Sequence, residues 1–85
     1  MATDVSTDTP TAMSASELQD LLFEEQDRRG FTGTTLKNEF GVTHRYAYES
    51  LQQEADGTPA NVRAVIFALR ALGYEVKEAY TVTKK

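Results

Sequence analysis

Few side chains in this sequence could carry out a reaction, and those few are poorly placed for it. There is one histidine, His44, and no cysteine. Thiolate chemistry is therefore excluded, and any histidine-based metal site would need carboxylates as its other ligands. The acids offer no such cluster. Glu17, Asp20, Glu24, Glu25 and Asp27 follow one another through a single helical stretch, where they read as a solvated face and not as a paired acid and base. Ser50 falls on the buried side of its helix, with no histidine in register to activate it. No catalytic residue, metal or cofactor is expected, and the chain does not read as an enzyme.

Recognition is the chemistry that remains. Thr43, His44, Arg45, Tyr46 and Glu49 form a polar run at the start of a short helix. A threonine at the cap can offer its hydroxyl or backbone N–H to phosphate. The Arg45 guanidinium can take guanine's two major-groove acceptors, and His44 or Tyr46 can bond a base or a phosphate. Glu49 can accept from cytosine or orient Arg45 one helical turn away. The competing reading is a solvated polar face whose Arg45–Glu49 pair is an ordinary surface ion pair.

The elements that must hold these residues are legible in the pattern. Thr32 is placed to cap a helix running to Phe40, with Leu36 and Phe40 on one apolar face. Gly33 in its first turn weakens it by up to ~1 kcal/mol relative to alanine. Gly41 makes a turn, Val42 is an apolar plug, and Thr43 caps a helix from His44 to about Gln53. Two short helices crossing steeply, the second offering its first turn, are what a helix-turn-helix DNA reader needs. Thr32, Thr34 and Lys37 join the residues above as the expected DNA-contacting surface.

The flanking helices frame this unit. Ser14 and Glu17 form a capping box, with Met13 and Leu18 at the staple positions. Leu18, Leu21, Leu22 and the methylenes of Glu25 line one side, Arg28 and Arg29 suit the negative helix end, and Gly30 supplies the stop. Phe31 plugs the following turn. After a loop at 54–57, Thr58 as cap and Pro59 at the first helical position open a last helix. Its stripe is Val62, Val65, Ile66, Leu69 and Leu72, and Gly73 ends it.

Length and charge set the bounds. With 85 residues there is room for one domain, whose core lies near the lower limit for independent folding. Residues 1–12 are rich in Thr, Ser, Asp and Pro and read as a disordered tail. They have neither the basic start nor the apolar stretch of a signal peptide, and no run approaches the ~20 apolar residues of a membrane span. A cytoplasmic protein without membrane contact is expected. The net charge of −4 opposes nucleic-acid binding. The acids, however, crowd the tail and the first helix, while Lys37, His44 and Arg45 gather at the reader.

The segment Leu36-Lys-Asn-Glu-Phe-Gly-Val-Thr43 resembles the repressor-type helix-turn-helix of phage repressors and toxin–antitoxin antidotes. Within that class the chain is most similar to addiction-module antidotes, through Gly41, Val42, Thr43, Tyr48, Leu51, Asp56, Gly57, Pro59, Ala71, Leu72 and Gly73. Lys37 stands where those proteins place a small residue between the helices, which implies a wider crossing here. Gly33 stands where they often have a phosphate-facing glutamine. The resemblance implies a mostly α, four-helix lambda-repressor-like domain and a sequence-specific regulator of transcription. That regulator would be a repressor of its own operon, with double-stranded DNA and a toxin protein as partners. The alternative is a protein-binding module, in which the acidic first helix docks a partner such as a toxin.

After Gly73 the period changes to 2: Tyr74, Val76, Glu78, Tyr80 and Val82 share one face. A lone strand cannot satisfy its own backbone, and everything before it reads as helix. The strand is therefore expected to pair with its copy in a homodimer, across an interface of Phe67, Ala71, Tyr74, Val76, Tyr80 and Val82. The expected organisation is thus a tail (1–12), a helix-turn-helix domain (13–73) and a dimerisation strand with a basic end (74–85).

Overall fold

A computed structural model describes residues 11–77 and 80–84. The order of elements is β1 (Thr11–Ala12), α1 (Ala15–Arg29), α2 (Gly33–Asn38), α3 (His44–Glu49), α4 (Val62–Ala71), β2 (Tyr74–Lys77) and β3 (Thr81–Lys84). The fold is mostly helical, with a small antiparallel sheet in the order β1-β3-β2.

Local chemistry sets the limits of α1. The Ser14 hydroxyl accepts from the Glu17 N–H at 3.2 Å, and the Glu17 carboxylate accepts from the Ser14 N–H at 3.0 Å. Both members of the staple, Met13 and Leu18, are buried. At the other end Gly30 adopts the left-handed conformation, φ 72°, which L-residues with a Cβ avoid. The inner side of α1 (Leu18, Leu21, Leu22) meets Val65, Ala68 and Leu69 of α4 in one core, closed by Phe31, Leu36, Val42 and Ala47.

Glu25 lies on the inner side expected for its methylenes, but its carboxylate, expected on the solvated face, is buried with them. The residue is 2 % exposed. Arg28 and the Tyr74 hydroxyl donate to its Oε1, and Arg29 Nε donates to Oε2 at 2.9 Å. Arg29 also donates to the Leu72 carbonyl at 3.2 Å, so one carboxylate ties α1 to the end of α4 and the start of β2. Burial acts to raise the Glu25 pKa, but the hydrogen bonds from Arg28 and Tyr74 and the charge of Arg29 outweigh it and hold it below the ordinary value. The Tyr74 hydroxyl is pushed up to about 12, first by burial and then by its bond to Glu25.

The C-terminal segment is a hairpin, not one strand. β2 pairs with β3 in the register Val76↔Val82 and Lys77↔Thr81. Tyr80 makes the reversal possible with a left-handed φ of 53°. The far side of β3 takes β1, with Thr11↔Val82 and Ala12↔Thr81, and the Met13 N–H donates to the Tyr80 carbonyl at 3.1 Å. Thr11 and Ala12 are thus part of the sheet and not of the tail; the rest of the expected tail, residues 1–10, lies outside the described residues.

This arrangement removes the reason given for pairing across a dimer, because β3 pairs with β2 along its length and with β1 at Thr81 and Val82, all within one chain. Tyr74, Val76 and Val82 face the core of the same chain, Ala71 and Tyr80 are half-buried against it, and Phe67 remains exposed. β2 is left as an edge strand. Arg70 donates from Nε and Nη2 to its Val76 carbonyl, at 3.2 and 2.8 Å, which occupies an acceptor that an incoming strand would need.

Candidate functional site

Two hydroxyls start α2. Thr32 Oγ1 accepts from the Thr35 N–H at 3.3 Å, and Thr35 Oγ1 accepts from the Thr32 N–H at 3.2 Å. Thr32 is therefore an exposed cap, its hydroxyl already engaged. The helix ends at Asn38, two residues before the expected Phe40. Gly41 then turns the chain with φ 74°, and the Val42 N–H closes back onto the Leu36 carbonyl at 3.0 Å while its side chain is buried. This turn fixes the direction of α3.

α3 is one and a half turns long and stops at Glu49 rather than near Gln53. Ala47 and Ser50 face the core, and the Ser50 hydroxyl is used up on the Ala47 carbonyl at 3.0 Å. Thr43 stands at the cap position, but its hydroxyl makes no capping bond. The helix is opened by the backbone alone, with the Ala47 N–H on the Thr43 carbonyl at 2.8 Å, and the exposed hydroxyl is left to other partners.

The structure gathers part of the expected surface around a residue that sequence reasoning left out of it. The Tyr48 hydroxyl hydrogen-bonds the Thr34 hydroxyl at 2.8 Å, and its ring meets that of His44 edge-on, centroids 4.8 Å apart. The ring lies over Gly33, where a Cβ would come within 2.7 Å of it. Gly33 is thus a point of close approach between α2 and α3 and cannot face phosphate, being buried. The small residue expected at Lys37 is in effect supplied at Gly33, and Lys37 is free to be exposed. Tyr48 stands four residues after His44, on the same helix face; that spacing is the signal that could have found it.

Arg45 projects next to this cluster, its side chain 75 % exposed, with Nε on Glu49 Oε2 at 2.6 Å. Glu49 is not a free acceptor for cytosine. Its other oxygen takes Asn61 Nδ2 at 3.1 Å, and that bond, then the one from Arg45, lowers its pKa. The bond to Glu49 raises that of Arg45. Tyr46 also leaves the expected surface. It is half-buried and stacks on Phe67 of α4, centroids 5.2 Å apart and planes 15° from parallel.

Asn61 has a second role. Its Oδ1 accepts from the Ala64 N–H at 3.3 Å, capping α4, in place of the expected Thr58 and Pro59. Those two residues close the preceding loop instead. Asp56 Oδ1 accepts from the Thr58 N–H at 3.0 Å and from its hydroxyl at 2.6 Å, and Gln53 bridges Pro59. Asn61 therefore links the start of α4 to the carboxylate that holds Arg45.

The surface that results has hydroxyls (Thr34, Thr43, Tyr48), an imidazole (His44) and two cations (Lys37, Arg45), all exposed. Such groups bond phosphates and base edges. Among the described residues no group of three or more His, Asp or Glu could hold a metal ion, and no helix is long and apolar enough to cross a membrane. In comparisons with known proteins the chain matches no family model, no curated protein and no solved structure.

Proposed function

We propose that this protein is a sequence-specific DNA-binding regulator that lays the exposed side of α3 in the major groove. The observation that carries this reading is the joining of α2 and α3 through Thr34, His44 and Tyr48, with Arg45 projecting beside them from the first turn of α3. Arg45 would leave Glu49 to take guanine's two acceptors, while Asn61 keeps the freed carboxylate satisfied and away from the DNA. The paired hydroxyls of Thr34 and Tyr48, with Thr32, Lys37 and Thr43, would meet phosphate and set the register. Exposed acids of α1, such as Glu17, Asp20 and Asp27, account for much of the negative charge. They weaken long-range steering more than local contact.

The resemblance to repressors and antidotes suggests autoregulation of an operon and, in the antidote case, a toxin partner. A two-fold pair would set its reading helices about 34 Å apart. With β3 paired to β2 and β1 inside one chain, such a pair does not need that strand to meet its own copy.

The test is selection of duplexes from a random pool, followed by titration at several salt concentrations. Arg45→Ala should weaken binding to the selected site roughly ten-fold or more and leave random DNA little changed. Equal losses on both would demote Arg45 to a phosphate contact. Failure of the intact protein to bind any duplex at low salt would sink the reading.

A further inference from the structure

The outer surface of α4 has a different character from the rest of the molecule. Arg63, Phe67 and Arg70 are exposed at i, i+4 and i+7, so they share one face. Phe67 is 41 % exposed and continuous with an apolar groove, so it is part of a patch and not a lone surface residue. It is also held rigidly: the Tyr46 ring stacks on one side, and the Arg70 guanidinium lies 5.7 Å from its centroid. Beside it is an open apolar groove of about 200 Å³, lined chiefly by Phe40, Val42, Tyr46, Phe67 and Ala71. That volume is below the ~300–1,000 Å³ of small-molecule sites. It suits one large side chain of a partner.

Charge selects the partner. α4 contains two arginines and no acid, in a chain whose net charge is −4. Among the sequence neighbours of the lining residues the cations are Arg45, already on Glu49, and Arg70, and the acid is Glu39. Arg70 has Nε and Nη2 on the Val76 carbonyl, which leaves Nη1 without a bond among the described residues. A two-fold pairing of copies through α4 would bring Arg63 and Arg70 of each against those of the other, with no carboxylate on either helix. Like charges so placed oppose association.

We propose that this face docks an acidic amphipathic segment of another protein. One large apolar side chain would enter the groove against Phe67, and carboxylates on the turns before and after it would meet Arg63 and Arg70. This is the helix-in-groove mode of peptide recognition, with charge fixing the direction of the segment. The floor of the groove includes Gly41, Val42 and Thr43, the turn that aims α3, so a docked segment lies directly against the DNA-reading unit. The proposal does not depend on DNA binding.

A displayed library of random short peptides, selected on the full chain, is the probe. Enriched sequences should combine Glu or Asp with Phe, Trp or Leu. Binding of a selected peptide should fall roughly ten-fold or more in Phe67→Ser and in Arg63→Glu. Arg63 is exposed and, among the described residues, makes no hydrogen bond or ion pair, so Arg63→Glu separates docking from folding, and a Glu→Lys change in the peptide should restore its affinity. Amide shifts caused by the peptide should centre on α4 and on residues 40–43. The idea is overturned if no peptide is enriched, if the enriched ones are basic, or if Phe67→Ser and Arg63→Glu leave binding unchanged. It is equally overturned if sedimentation shows a dimer that Phe67→Ser dissociates, for the occupant would then be a second copy.

Discussion

Two Glu–Arg ion pairs of this chain share one spacing, four residues apart on a helix, and they behave oppositely. Glu25 and Arg29 are near the end of α1, and Arg45 and Glu49 stand near opposite ends of α3. In the first pair the glutamate is nearly without solvent, 2 % exposed, and has a second arginine, Arg28, and a tyrosine hydroxyl on it. In the second the arginine is 75 % exposed and the glutamate 28 %. The order differs too: Glu before Arg agrees with the helix dipole, whereas Arg before Glu opposes it. The first pair locks three elements together. The second holds a guanidinium that water can already reach, and Asn61 gives its carboxylate a further hydrogen bond. Spacing alone does not make a clamp; burial separates the two pairs.

The sharpest way to break this contrast is Glu25→Gln. Removing one member of a buried ionic network costs roughly 3–5 kcal/mol, and the lower end applies because Arg28 and Arg29 keep partial access to water. The urea midpoint should fall accordingly. The same network contributes to the pH dependence of stability. Glu25 has its pKa lowered in the folded state, so its contribution is present above the unfolded value of about 4.3 and disappears as pH falls through the folded value. Tyr74 is raised to about 12 from 10.0, so its contribution is present below pH 10 and is lost as pH rises from 10 to 12. Urea midpoints against pH should decline at both ends. Glu25→Gln should flatten the acid limb and Tyr74→Phe the alkaline one; an unchanged acid limb in Glu25→Gln would show that Glu25 is not the group responsible.

Next in size comes Gly33→Ala. Helix propensity alone favours alanine by up to ~1 kcal/mol. The added Cβ would come within 2.7 Å of the Tyr48 ring, however, and forced overpacking costs about 1–3 kcal/mol. A lower melting temperature is expected. In a Tyr48→Ala background the same change should become neutral or stabilising. If Gly33→Ala raises the melting temperature of the wild-type chain, the ring does not rest on Gly33.

These cases also show what the sequence could and could not convey. Features set by local chemistry, such as the Ser14–Glu17 box, the left-handed stop at Gly30 and the turn at Gly41, are legible because the signal and its effect lie within a few residues. The alternation after Gly73 also put Tyr74, Val76 and Val82 on one face correctly, since Val76 pairs with Val82 and both point inward. The reversal between them was hidden because Tyr80 takes a left-handed conformation usually signalled by glycine or asparagine. β1 has two residues, too few for any period. At α4, Thr58-Pro59 outweighed the better-placed Asn61. The Tyr48 platform needed the third dimension, because Gly33 and Tyr48 belong to different helices and meet only after the chain turns at Gly41. The same turn brings Phe67 against Tyr46, a contact no spacing rule contains.

The smallest expected effect is the most telling for the second pair. Exposed ion pairs at i, i+4 contribute little to stability, and this one opposes the dipole, so Arg45→Ala should leave the melting temperature unchanged within error. Glu49 is held by Asn61 as well, and Asn61 caps α4. Glu49→Ala should therefore shift the melting temperature slightly more than Arg45→Ala, although Arg45 is the residue proposed to read DNA. On a selected duplex the order should invert: Arg45→Ala loses affinity, while Glu49→Ala, which frees the guanidinium and removes a carboxylate from the face, keeps or gains it. A protein in which Arg45→Ala unfolds the domain, or in which both variants lose DNA binding equally, would have a structural pair in α3. The contrast with Glu25 would then collapse into two clamps of unequal strength.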